Sequence, residues 1–145
     1  MPRSIVRVAC GLLIPLVVIA GLVSCGPMSE PDYANEIAES ALQSLNACDY
    51  EAHVALYTPE GQNNINETNF DIVCSQLKSV IGDYIDKEFF RAEEENGYTV
   101  VDYKADFSEE PDGVTFKFYF EEIDGEMYIA ALWPESQKLS DSSGE

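Results

Sequence analysis

The sequence predicts an α+β fold in which three helices pack on a curved, four-stranded antiparallel meander. Three observations carry that expectation. Apolar residues recur at three and four positions from Ala34 to Ile81, then alternate with period two after Gly82, and the alternating runs are joined by Asn-Gly or Asp-Gly steps. Helices first and strands after, around one core, is the order of an α+β domain.

The chain of 145 residues suffices for one domain. Met1 to Arg7 carries two arginines and no acid, and the run from Val8 to Val23 is almost wholly aliphatic or glycine. A basic start, an apolar run and small residues at a cut describe an export signal. Its last four residues, Leu22-Val23-Ser24-Cys25, are similar to the lipobox of bacterial lipoproteins. That resemblance implies cleavage after Ser24, diacylglycerol on Cys25 and an acylated (typically palmitoylated) amino terminus. The other reading is an uncleaved membrane-spanning anchor, for which the apolar run is long enough. Residues 1–24 are thus expected as a signal peptide and 25–31 as a short flexible lipidated tether. The expected place is the extracytoplasmic side of the cell membrane or outer membrane.

Without its leader the chain carries six basic residues against 27 acidic ones, a net charge of −21. No basic face is available to neutralise phosphates, so nucleic acid is excluded as a partner.

The domain is expected over 32–134. Ser29 and Asp32 form a capping-box pattern, after which Ala34, Ile37, Ala38, Ala41, Leu45 and Cys48 make one helical stripe. Asp49 is placed to cap a short second helix with Tyr50, Val54 and Tyr57 on one face, and Thr58-Pro59-Glu60-Gly61 reads as a turn. A polar connector, 62–67, leads to a third helix opened by Thr68 and Asp71. Its stripe is Phe70, Val73, Cys74, Leu77 and Ile81, with Gly82 at the stop.

Four strands follow. The first spans 84–91. In the second, Thr99, Val101, Tyr103, Ala105 and Phe107 alternate with polar neighbours; in the third, Val114, Phe116, Phe118 and Phe120 do. The fourth, 127–133, is apolar on both faces and so is expected to be central or covered. Glu94-Glu95-Asn96-Gly97, Glu110-Pro111-Asp112-Gly113 and Ile123-Asp124-Gly125 are the expected turns. Residues 135–145 read as a disordered acidic tail.

Of four cysteines, Cys10 leaves with the leader and Cys25 takes the lipid, so Cys48 and Cys74 remain. An oxidising compartment favours a disulfide between them. Two buried free thiols are the alternative.

At this point the chain resembles the nuclear transport factor two-like superfamily, a cone-shaped, cystatin-like α+β fold. More narrowly it is similar to the small uncharacterised lipoproteins of that superfamily. The resemblance rests on Leu45-Asn46-Ala47-Cys48-Asp49-Tyr50-Glu51 between two helices, on Tyr57 and Gly82 at helix ends, and on Pro134 closing the last strand. It covers 33–134. Cys48 departs from the pattern, standing where many relatives carry glycine or a polar residue. The superfamily includes ketosteroid isomerase and scytalone dehydratase, but fold does not confer function, and the lipoprotein branch brings no activity with it.

No nucleophile motif, phosphate loop or metal-ligand spacing occurs, and neither a cofactor nor a metal is expected. His53, the only histidine, reads as an exposed helix residue; Cys48 lies five positions before it, about 140° around a helix. An isomerase-like enzyme would need a buried carboxylate and a hydroxyl inside the cone. Asp86, Glu88, Asp102 and Asp106, with Tyr103 and Tyr119, are the candidates, but the carboxylates fall opposite their strands' apolar residues and so are expected in solvent. Glu93, Glu94 and Glu95 should approach Glu121, Glu122, Asp124 and Glu126 at one sheet end, a solvated rim rather than a calcium site. Phe90, Phe116, Phe118, Phe120 and Trp133 supply enough aromatic mass to line a pocket. The sequence therefore points to a membrane-tethered, non-enzymatic binding domain whose partner is another envelope protein. A carrier of a small hydrophobic ligand is the alternative, and an isomerase- or hydratase-like enzyme a third.

Overall fold

The computed structural model describes residues 28–142. The signal segment 1–24, Cys25 and the last three residues lie outside the described part.

Four helices precede the sheet, where three were expected: α1 (Asp32–Ala47), α2 (Tyr50–Val54), α3 (Pro59–Asn64) and α4 (Glu67–Ile81). The added helix is α3. The Thr58 hydroxyl accepts from Gly61 N and Pro59 occupies the first turn, so a stretch read as a turn opens a helix instead. Two caps also differ from expectation. Helix α1 starts at Pro31 without a side-chain cap, and α4 is capped by Asn66, whose Oδ1 accepts from Asn69 N at 2.9 Å. Asp49 caps α2 as expected.

Helix α1 buries Ala34, Ala38, Ala41, Leu42, Ser44 and Leu45, and the run of alanines lets its backbone come close to the sheet. It ends at Cys48, whose φ of 54° is left-handed, the conformation that favours glycine at a helix stop. Cys48 is joined to Cys74 of α4 by a disulfide, Cα to Cα 5.7 Å, which ties the corner to the middle of that helix.

The strands β1 (Tyr84–Glu95), β2 (Tyr98–Phe107), β3 (Glu110–Ile123) and β4 (Glu126–Glu135) form one antiparallel sheet in the order β1-β2-β3-β4. Asn96-Gly97 and Asp124-Gly125 make the first and third turns, both residues of each pair at positive φ. The second turn is not Asp112-Gly113. The chain reverses at Ser108-Glu109, where Phe107 pairs with Glu110, and Gly113 sits inside β3 at a register shift. Register shifts also fall in β1 and between β3 and β4. The shifts in β1 and between β3 and β4 each add one residue to one strand, and the β2–β3 shift adds two to β3, irregularities that bend a sheet.

Val101, Tyr103, Ala105, Phe107, Val114, Phe116, Phe118, Phe120 and Ile129 meet the buried helix residues in one core. β4 is an edge strand rather than a central one, and its edge is covered by the α2–α3 connection: Ile129 N donates to Leu56 O at 2.9 Å and Thr58 N to Ile129 O at 3.0 Å. That cover explains its apolar composition. The tail is ordered at its start. A further helix, α5 (Gln137–Ser142), is opened by Ser136, whose hydroxyl accepts from Leu139 N, and Leu139 packs on the core.

Candidate binding groove and its polar floor

His53 and Tyr57 stand four positions apart, so both face inward from α2 and the turn after it. His53 is 4 % exposed, which corrects the expectation of a solvent position. The short α2 crosses the end of α1, and the ring enters between Ala41 and Ser44 of α1 and Phe70 of α4, its centroid 5.0 Å from that of Phe70.

The hydrogen bonds assign the tautomer. Nδ1 lies 3.2 Å from Ala41 O and 3.0 Å from Ser44 Oγ, and the Ser44 hydroxyl itself donates to Ala41 O. A carbonyl only accepts, so Nδ1 carries the proton. Nε2, 3.1 Å from the Tyr57 oxygen, then accepts the phenol proton. Burial lowers the His53 pKa below its ordinary value, while the bond to Ala41 O works the other way more weakly. The Tyr57 phenol is pushed well up by burial. At neutral pH the pair is uncharged and acts as a hydrogen-bonding floor.

Above it a cleft of about 270 Å³ opens between α3, α4 and β4, bounded by Leu45, Asn64, Asn69, Phe70, Leu77 and Leu132 among others. No lining side chain carries a carboxylate, ammonium or guanidinium. A second depression of about 620 Å³ continues it along α4 towards α5, with Val80, Trp133 and Leu139 as further walls. The two share Val73, Leu77 and Pro134 and so form one uncharged, largely apolar groove with amide and hydroxyl groups at its margins.

Of the five aromatic residues expected to line a pocket, the structure does not make one set. Phe116, Phe118 and Phe120 fill the interior, Phe118 and Phe120 stacked with centroids 5.8 Å apart. Phe90 stands exposed on the opposite edge strand, and only Trp133 borders the groove, 61 % exposed.

The acid–base candidates are likewise dispersed. Asp86, Glu88 and Asp106 face solvent. Asp102 does not: it is 2 % exposed although it lies on the sheet face away from the helices. Arg91 and Lys117 flank it across the sheet, and Arg91 Nε donates to its Oδ2 at 2.6 Å. Tyr103, the next residue, points to the helix side and donates to Glu30 at 2.7 Å, so the two share no cavity. Tyr119 packs edge-on to Tyr98. Among the described residues no three His, Cys, Asp or Glu side chains gather as a metal-binding group.

The sequence marks Tyr57 as part of an inward helical face but not His53, because an isolated histidine has no periodic signature. The available signal was spacing: Tyr50, His53 and Tyr57 recur at three and four positions, the repeat of a buried helical face.

Comparison with known proteins agrees with this architecture. The solution structure of a SEC-C motif containing protein from Rhodopseudomonas palustris is similar, with a TM-score of 0.51 at 14% identity over 69% of this chain and 77% of that one. A designed protein of the nuclear transport factor two type has a TM-score of 0.50 at 11% identity, over 72% of this chain and 97% of its own. No curated protein matches the chain. The profile of a family described as "Protein of unknown function (DUF3887)" matches residues 38–132. The chain belongs to that family, and its fold is similar to that of a nuclear transport factor two-type protein.

Proposed function

We propose that this protein is a lipid-anchored, extracytoplasmic, non-enzymatic binding domain that holds an apolar segment of another envelope protein in the α4–β4 groove. One observation carries the reading. Phe116, Phe118, Phe120 and Tyr103 fill the cone to near-complete burial, while an uncharged apolar groove beside it stays open with Val73 and Trp133 exposed. Exposed contiguous apolar surface on a chain this acidic marks an interaction site. The lipobox motivates the anchor: cleavage after Ser24, acylation of Cys25, and retention at the cell membrane or outer membrane.

A second reading is favoured by the His53–Tyr57 floor. A small neutral ligand with one polar group fits a cleft with no charge to pair and a phenol oxygen at its base.

A photo-crosslinking residue in place of Val73, expressed in the native cell, separates the two. The expected result is one discrete protein adduct, lost on Leu77→Glu. Absence of any adduct, together with a small molecule retained by the native chain in native mass spectrometry, would replace the first reading by the second.

A further inference from the structure

The chain leading into α1 is not free. Met28 bridges Ala92 in antiparallel fashion, beyond the outer edge of β1. Glu30 accepts the hydroxyl of Tyr103, which is 1 % exposed, and Pro31 O accepts from Ala34 N at 3.0 Å. The expected tether of seven residues is therefore held by sheet and helix from Met28 onward. Only Gly26 and Pro27 remain between Met28 and Cys25. Three extended residues span at most about 11 Å.

A second observation lies at the same place. The register shift between Phe89 and Arg91 leaves Phe90 without a cross-strand partner, and its ring is 64 % exposed two residues from Ala92. Met28 itself is 37 % exposed. A bulge that turns an aromatic ring outward, beside the point where the chain leaves for its anchor, has no packing purpose in the domain.

We propose that Met28 and Phe90 form a membrane-contact point beside acylated Cys25, so that the domain stands with its β1 edge on the bilayer instead of swinging on a tether. This rests on the lipid anchor of the proposed function. The occupant is the bilayer that holds the anchor. A gap of about 11 Å is no wider than a single helix with its side chains, so no folded partner fits between. Aromatic rings favour the headgroup level. Glu88, Glu93 and Glu94 flank the contact and make zwitterionic lipid the suitable surface. The groove lies at the other edge of the sheet, on β4, three strand spacings or about 14 Å away, and so stays open to the extracytoplasmic space.

The test uses the native, full-length lipidated protein in phosphatidylcholine vesicles whose acyl chains are brominated near the headgroup. The chain has one tryptophan, so Phe90→Trp with Trp133→Phe moves the only indole to the contact, and the unsubstituted chain reports Trp133. Both sites are exposed, and the exchange leaves the core intact. Quenching of about twofold or more is expected at position 90 and none at Trp133. Ten Gly-Ser residues inserted between Gly26 and Pro27 should at least halve the effect at position 90. A chain that floats with vesicles and carries acyl mass, yet is unquenched at position 90 or equally quenched at both, overturns the contact and leaves the anchor standing. A chain that neither floats nor carries acyl mass overturns both.

Discussion

His53 is a buried imidazole whose two nitrogens are both committed, Nδ1 to Ala41 O and Ser44, Nε2 to the Tyr57 hydroxyl. A protonated ring would need to donate from Nε2 as well, reversing the Tyr57 bond inside a site without a counter-charge. Its pKa in the folded chain is therefore below the 6.5 of a free histidine, with burial the main cause. The sign of the consequence follows from linkage. Above pH 6.5 neither state holds the proton and the group contributes nothing to the pH dependence. Below it the unfolded chain is protonated first, so stability falls as pH drops. Chemical denaturation between about pH 7 and pH 5.5, above most carboxylate titrations, should show this loss. In His53→Gln the same window should be flat by comparison; an equal slope in both chains would remove His53 as its source.

Gly82, between α4 and β1, and Gly97, in the first hairpin, share positive φ, 83° and 88°, but not surroundings. At Gly97 an added Cβ would meet nothing within 4 Å. At Gly82 it would overlap Ser108 Oγ and approach Glu109 N to 2.9 Å. The reason is that the β2–β3 turn docks here, with Glu109 N donating to Ile81 O and Ser108 N to Asp83 O, both at 2.9 Å. Gly97→Ala should cost about 1 kcal/mol, the left-handed penalty alone. Gly82→Ala should cost about 3 kcal/mol, since backbone must also shift. Urea melts of the two variants test the order, and equal losses would mean that the docked turn moves away freely. This docking also holds the second turn at Ser108-Glu109, away from the local turn signal. Asp112-Gly113 carries the turn signal, but Gly113 lies inside β3 at a φ of 75°, a left-handed backbone that favours glycine. A positive φ inside a bulged strand and one in a turn leave the same residue in the sequence.

Over the whole molecule, the Cys48–Cys74 bridge joins the end of α1 to the middle of α4 across 26 positions. Closing such a loop restricts the unfolded chain by about 3.5 kcal/mol. The bridge also holds a non-glycine residue at φ 54°. Cys48→Ala with Cys74→Ala should lose about 3.5 kcal/mol in denaturant unfolding. Cys48→Gly with Cys74→Ala should lose about 1 kcal/mol less, since glycine adopts that conformation without penalty. Equal losses would show that the corner relaxes once the bridge is cut. At this scale the acidic surface and the groove differ in charge. The chain carries a net charge of −19, yet no carboxylate lines the groove, so filling it would desolvate no carboxylate.

The sequence by itself determined that helices precede a four-stranded antiparallel sheet, the two Asn-Gly and Asp-Gly hairpins, the helical stripes of Ala34, Ala38, Ala41, Phe70 and Cys74, and the alternation that buries Phe116, Phe118 and Phe120, but not the helices α3 and α5. These depend on periodicity and local turn chemistry, which neighbouring residues encode. It did not determine which apolar residues would enclose space and which would fill it, because Phe118 and Trp133 look alike until a sheet bends over one and leaves the other at its edge. Nor did it reveal the burial of His53 and Asp102 or the docking of Met28 on β1 and Glu30 on β2. Each of those depends on partners from other elements, Ser44 and Phe70 for His53, Arg91 for Asp102, Ala92 and Tyr103 for the segment before α1. Only the folded chain brings such partners together, since local pattern records a residue's own face and not what arrives to cover it.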